Sequence, residues 1–278
     1  FKYVRSLATF KETMIPQLKY KDEYYKGLDG RDTIVRIFYS NKESAQSVII
    51  FPGASPYAEN HPGMIMLGNA LRNTGYNVYL PRIPSLKNLI LEKENVDWFA
   101  HCYQELVNHK IKNKINIMIV GLSYGGATLL RATMDARMQS PKPKSILSYG
   151  TYYSIETALD FFITGIITYK NKKYTIKPHE WGLIVIFYNF IDSINTDYNK
   201  SAIKEILKHR IRDEFEIVDK KIKSLSLEEK KLLQHILDGE LTDEIKTLIN
   251  MMIDKNKSLL EYLSPNNWIK NIKSKVFI

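Results

Sequence analysis

The sequence predicts an α/β fold: a doubly wound, mostly parallel sheet with an inserted helical cap. Three observations predict it. Short β-branched runs alternate with helical patterns from about Thr33 to Thr151. From Tyr152 to about Leu263 charged amphipathic patterns replace them, with no convincing buried strand. At Ser264 the core-like pattern resumes. The expected organisation is therefore core over 1–151, cap over 152–263 and a return to the core over 264–278.

Each element has a local reason. Residues 1–30 mix aromatics with charges and end in the turn signal Leu28-Asp29-Gly30, so they read as a lead-in lying over the core. Thr33–Tyr39 and Ser47–Phe51 are strands, the second apolar enough to be buried on both faces. A small-residue loop, Pro52-Gly53-Ala54-Ser55-Pro56, leads to a helix from about Pro62 to Asn73, with Gly75 at the expected C-terminal cap. Asn77–Leu80 is a strand, and Val96–Asn108 a helix with Trp98, Phe99, Tyr103 and Leu106 at helical spacing. Lys114–Val120 reads as a buried strand, Ser123 to about Met138 as a helix, and Ser145–Gly150 as a further strand. Strands alternating with helices imply right-handed crossovers, with functional groups at the carboxyl ends of the strands.

The cap carries amphipathic patterns at Ile203–Lys208, Leu227–Leu237 and Thr242–Ile253. Phe161–Tyr169 and Trp181–Ile191 are far more apolar, and the whole insertion reads as helical. The apolar side chains suit either an acyl-chain pocket with contact to a lipid interface, or packing of the helices on each other and on the core. The second is the simpler reading.

Bulk properties bound the function. The 278 residues are 44% hydrophobic and 25% charged, ordinary for a globular chain. The net charge of +10 comes from lysines spread along the chain among acids, with no nucleic-acid motif, so no nucleic-acid partner is expected. Weak attraction to an anionic membrane surface is a better use of that charge. Neither long apolar run reaches the ~20 residues of a membrane-spanning helix. Cys102 is the only cysteine, which rules out an intrachain disulfide framework and leans the location toward the cytoplasm. With Phe1 as the first residue, the true N-terminus and the localisation stay open. No metal-ligand spacing and no Gly-rich phosphate loop is present, so no metal or cofactor is expected.

One motif carries chemistry: Gly121-Leu122-Ser123-Tyr124-Gly125, between an apolar strand and a helix. A serine hydroxyl is a poor nucleophile and must be exposed and aligned with a base. A sharp strand-to-helix turn exposes Ser123, and glycines two residues to either side remove the side chains that would collide. The helix beyond it aims backbone N–H groups at a developing oxyanion, so Tyr124 supplies one donor. A residue near Ala54 in the loop after Ser47–Phe51 supplies the other, with Gly53 permitting close approach. The inert alternatives are a tight glycine turn and an ordinary strand-end loop.

With these two motifs in place the chain resembles an α/β-hydrolase fold serine hydrolase. The resemblance covers about Thr33–Thr151 and resumes over Ser264–Ile278. It implies an ester, lipid-like, thioester or amide substrate, an acyl-enzyme on Ser123, and the N–H of Ala54 in the oxyanion hole with Ser55 as the nearby alternative. Pro52 stands where the family usually has His, a departure that spares a backbone donor. The resemblance also implies an Asp or Glu and then a His later in the chain. Lys275–Ile278 reads as the opening of the acid-bearing strand, so both partners are expected beyond Ile278.

Among the six histidines, His61 lies nearest the loop and reads as a helix-start residue. His101 and His109 read as structural. His179, His209, His235, Asp160, Asp192 and Asp197 lack a setting. Two alternatives stay open: a base drawn from the cap or core, and a non-catalytic relative that binds an apolar ligand or partner under its cap. The oligomeric state is not legible.

Overall fold

The alternating strands assemble into one seven-stranded sheet in the computed structural model, which describes residues 18–42 and 45–277. Its strands are β1 (Lys21–Lys26), β2 (Asp32–Phe38), β3 (Ser47–Phe51), β4 (Asn77–Pro81), β5 (Met118–Leu122), β6 (Ser145–Tyr149) and β9 (Lys275–Phe277). They lie in the order β1-β2-β4-β3-β5-β6-β9. From β4 onward every pairing is parallel, whereas β1 and β2 run antiparallel at one side. All five residues of β3 are buried, as an apolar strand at the centre of a covered sheet requires.

Alternation along β3 shows how both faces are covered. Val48 and Ile50 join Val78, Leu80 and Val120 against Met64 and Ile65 of α1 (Pro62–Thr74). Phe51 points the other way and stacks on Phe99, 4.6 Å between ring centroids. Phe99 belongs to α3 (Glu94–His109), which follows the short α2 (Pro84–Lys87) and packs beside α4 (Tyr124–Ala132). The fold is therefore doubly wound and mostly parallel, with α1 on one face and α3 and α4 on the other.

Four elements depart from the sequence reading. The lead-in is in part a strand: β1 pairs with β2, and Tyr25 is buried with its hydroxyl donating to Arg82 O at 2.6 Å. Residues 1–17 of that lead-in lie outside the described residues. The strand expected from Lys114 starts at Met118 instead. The Asn113 side chain accepts from Ile115 N at 3.0 Å and Asn116 is left-handed (φ 60°), so Ile115 sits exposed in a turn. The helix expected to reach Met138 stops at Ala132. There Thr133 Oγ1 donates to Leu130 O, and Asp135 accepts from Arg137 N to start a short 3₁₀ turn. The fourth departure is in the insertion.

The chain divides into two compact units, one of residues 18–153 with 263–277 and one of 154–262. In the second, α5 (Ile155–Thr164) is capped by Ser154 and ends on Gly165 at φ 68°. A two-stranded hairpin follows, β7 (Ile166–Tyr169) with β8 (Lys172–Thr175), so Phe161–Tyr169 is not one helix. Its β-branched and aromatic residues favour extended pairing once Gly165 has ended the helix. Then come α6 (Glu180–Phe190), α7 (Lys200–Ile211), α8 (Phe215–Ile222), α9 (Leu227–Asp238), α10 (Asp243–Lys255) and α11 (Lys257–Leu263). α6 is apolar nearly all round because α7, α9 and α10 pack about it, burying Leu183, Ile184 and Phe187. Gly182 has no room for a side chain, since a Cβ there would meet Phe162 at 2.0 Å.

Candidate functional site

β3 and β5 are neighbours whose following helices, α1 and α4, leave on opposite faces of the sheet. Such divergence marks the place at the strands' carboxyl ends where doubly wound sheets bind their ligands. Phe51 pairs with Gly121 across the two strands, so the loop after β3 and the turn after β5 emerge side by side.

Ser123 occupies that turn. It is exposed, with φ 53° and ψ −133°, a strained backbone for a residue with a side chain. The strain is held from several directions. Its N–H donates to Tyr149 O on β6 at 2.9 Å, and its carbonyl accepts from Gly126 N at 2.8 Å. Thr151 Oγ1 accepts from Ala127 N at 3.0 Å.

The glycines are demanded by contact. A Cβ on Gly125 would lie 1.9 Å from Pro52 O, and one on Gly121 2.7 Å from Gly126 Cα. One on Gly126 would lie 2.5 Å from Ser148 Oγ, and one on Gly53 3.0 Å from Leu122 O and from Ser123 Cβ. The loop after β3 is thus pressed directly against the start of α4.

Two backbone donors remain at this junction. Among the described residues neither Ala54 N–H nor Tyr124 N–H is hydrogen-bonded. Ser55 N–H donates to Leu86 O at 3.1 Å and is therefore not available as the alternative donor. Behind Tyr124 lies a polar network that the sequence did not announce. Buried Asn95 donates to Ile90 O and to the Tyr124 hydroxyl, and accepts from Ser85 Oγ. Burial pushes the Tyr124 phenol up to about 12, although Asn95 opposes the shift. The Tyr152 hydroxyl is buried without a partner among the described residues, and burial and the neighbouring Tyr124 raise its pKa well above the ordinary value. Ser85, Asn95, Tyr124 and Tyr152 are far apart in sequence, so no spacing could have grouped them.

The loop is anchored from its far end. Buried Glu59 pairs with Arg82 of the segment after β4, and Arg36 of β2 donates to Glu59 O at 3.2 Å. Arg36 also makes two 2.8 Å bonds to Asp22. These ties fix residues 58–60, just beyond Ala54.

No histidine is hydrogen-bonded to Ser123 among the described residues. His61 caps α1 through Gly63 N at 3.1 Å, His101 bonds Lys26 O at 2.9 Å, and His109 pairs with Glu105. His179 caps α6, His209 pairs with Glu214, and His235 with Glu240. Asp192 pairs with Lys204. No cluster of three or more His, Cys, Asp or Glu among the described residues has the geometry to hold a metal ion.

Comparison with known proteins gives structural likeness only. No family model matches the chain, and no curated protein matches it. Among solved structures it is similar to DcsB in complex with its substrate analogue, at 18% identity and a TM-score of 0.38, covering 53% of this chain and 52% of that one. It is also similar to an acylaminoacyl peptidase of Pyrococcus horikoshii (17%, TM-score 0.39, covering 54% of this chain and 26% of that one). A third is esterase Est22 (14%, TM-score 0.39, covering 55% and 50%). The chain spans about half or less of the length of these three structures.

Proposed function

We propose that this chain is the nucleophile-bearing part of a serine hydrolase that works through an acyl-enzyme on Ser123. One observation carries the reading: an exposed serine in a strained turn between β5 and α4, abutting a loop that holds an unengaged N–H. Ser123 Oγ attacks the carbonyl carbon of an ester (or a thioester or amide), and the carbonyl electron pair moves onto oxygen. The N–H groups of Ala54 and Tyr124 hold that oxyanion, where fixed donors are worth far more than in water. Collapse expels the alcohol, thiol or amine, and water then releases the acid and regenerates the serine. An imidazole takes the serine proton and hands it to the leaving group. Because the six histidines of the chain are engaged elsewhere, the reading puts that imidazole and its orienting carboxylate outside residues 1–278.

The second reading is a non-catalytic binding protein on the same fold, favoured by the absence of any hydrogen bond to the Ser123 hydroxyl among the described residues. A fluorophosphonate probe separates the two. The protein expressed from its complete reading frame is expected to label at one site, and Ser123→Ala is expected to abolish labelling. Undiminished labelling of that variant would place the nucleophile elsewhere, and no labelling of the wild type would favour the binding protein.

A further inference from the structure

The hairpin β7–β8 is exposed at every one of its eight strand residues. Its two-residue turn, Lys170-Asn171, has both residues left-handed (φ 48° and 60°), the twist that suits a tight hairpin. Register sorts its side chains. Ile167 faces Tyr174 and Tyr169 faces Lys172 on one side, while Ile166 faces Thr175 and Thr168 faces Lys173 on the other. Ile176 N donates to Gly165 O at 2.8 Å and extends the ladder by one pair, placing Ile176 on the first side. That side then carries the apolar and aromatic residues Ile167, Tyr169, Tyr174 and Ile176, each 43–61% exposed, with Lys172 at its turn end.

Charge is distributed just as unevenly. From Phe161 to Pro178 the chain carries Lys170, Lys172, Lys173 and Lys177 and no Asp or Glu. Elsewhere in this unit lysines are interspersed with acids, and some pair with them, as Lys204 does with Asp192 and Lys221 with Glu205. Lys170 Nζ lies over its neighbour's Tyr169 ring, 5.2 Å from the centroid.

We propose that this hairpin is a docking surface for an anionic lipid bilayer. An apolar ribbon finished with tyrosines and rimmed by lysines matches the membrane interface in both respects: isoleucine enters the acyl boundary, tyrosine lies at headgroup depth, and ammonium groups pair with acidic headgroups. Each lysine near such a surface contributes about a fivefold gain in partitioning at low ionic strength. The surface is independent of the chemistry at Ser123 and needs no turnover to be seen.

The test is sedimentation of the full chain with vesicles of phosphatidylcholine, with and without about a third phosphatidylserine, at low and at high salt. Binding is expected only to the serine-lipid vesicles and is expected to weaken with salt. K170Q/K172Q/K173Q/K177Q should lower it by about a hundredfold or more, and I167S/Y174S should abolish it at high salt. Because all six positions are exposed, both variants should keep the wild-type melting temperature. The control K220Q/K223Q/K231Q/K255Q removes the same charge from exposed sites outside the hairpin and should retain most of the binding. Equal losses in the control and the hairpin variants would overturn the proposal in favour of undirected attraction by the +10 chain. Self-association that the hairpin variants relieve, without vesicle binding by the wild type, would overturn it in favour of a second copy.

Discussion

At Ser123 the backbone adopts φ 53° with a side chain attached, a conformation that costs about 1–2 kcal/mol. The surrounding bonds to Tyr149 and Gly126 keep it there. If the strain belongs to the site, removing the Cβ should relieve it while alanine should not. Ser123→Gly is therefore expected to be more stable than Ser123→Ala by about 1 kcal/mol in denaturant unfolding, with neither variant labelled by a fluorophosphonate. Equal stabilities would mean that the turn tolerates a side chain without cost. The motif itself was readable in sequence because every clash that selects its glycines arises at one strand-to-helix junction. Their partners were less readable. Pro52 O is what a Cβ on Gly125 would strike, and Pro52 stands seventy-three residues earlier in the chain. The engagement of the alternative donor, Ser55, rests on a bond to Leu86 that no local pattern implies.

Among the elements, β1 is the one whose existence rests most on partners. Among the described residues its strand pairs only with β2, and Glu23 ties it further to the rest. The Glu23 carboxylate accepts from Tyr39 at 3.1 Å and from Lys110, beyond α3, at 3.0 Å, and pairs with Lys21. Partial burial raises its pKa, but those hydrogen bonds outweigh it and bring the group from its ordinary 4.5 down to about 2. The sign follows from linkage: the folded state holds the proton more weakly than the unfolded one. The stabilisation is fully present above pH 4.5 and is lost as the pH falls toward 2. Glu23→Gln should therefore cost on the order of 1 kcal/mol at neutral pH, limited by solvent screening. The gap to wild type in urea unfolding should close near pH 2; a gap constant with pH would assign the loss to packing. Mixed aromatics and charges over residues 18–26 concealed this strand, because an edge strand with one wet face lacks the apolar run that marked β3. Phe161–Tyr169 misled in the opposite direction, since a short apolar run does not distinguish a helix end from a hairpin arm.

For the molecule as a whole, the sheet unit encloses the only thiol. Cys102 is fully buried in α3, and burial pushes its pKa well above the ordinary value. A thiol reagent at pH 8 should react with native protein no faster than the sheet unit unfolds, and stoichiometrically in denaturant. Rapid reaction without denaturant would show that α3 detaches locally. No helix among the described residues is long and apolar enough to cross a membrane.

What the sequence determined by itself was whatever near neighbours decide: the strand and helix alternation, the buried character of β3, the cap at Gly75, and the serine turn with its glycines. Periodicity, capping and steric exclusion act over a few residues and leave their mark in composition. Only the tertiary structure decided the order β1-β2-β4-β3-β5-β6-β9, the pairing of β1 with β2, the hairpin after Gly165, and the buried Ser85–Asn95–Tyr124 network. It also decided that all six histidines have other partners. These outcomes depend on groups distant in the chain meeting in space, where each pairing competes with every other, and a single sequence records the groups without the contest.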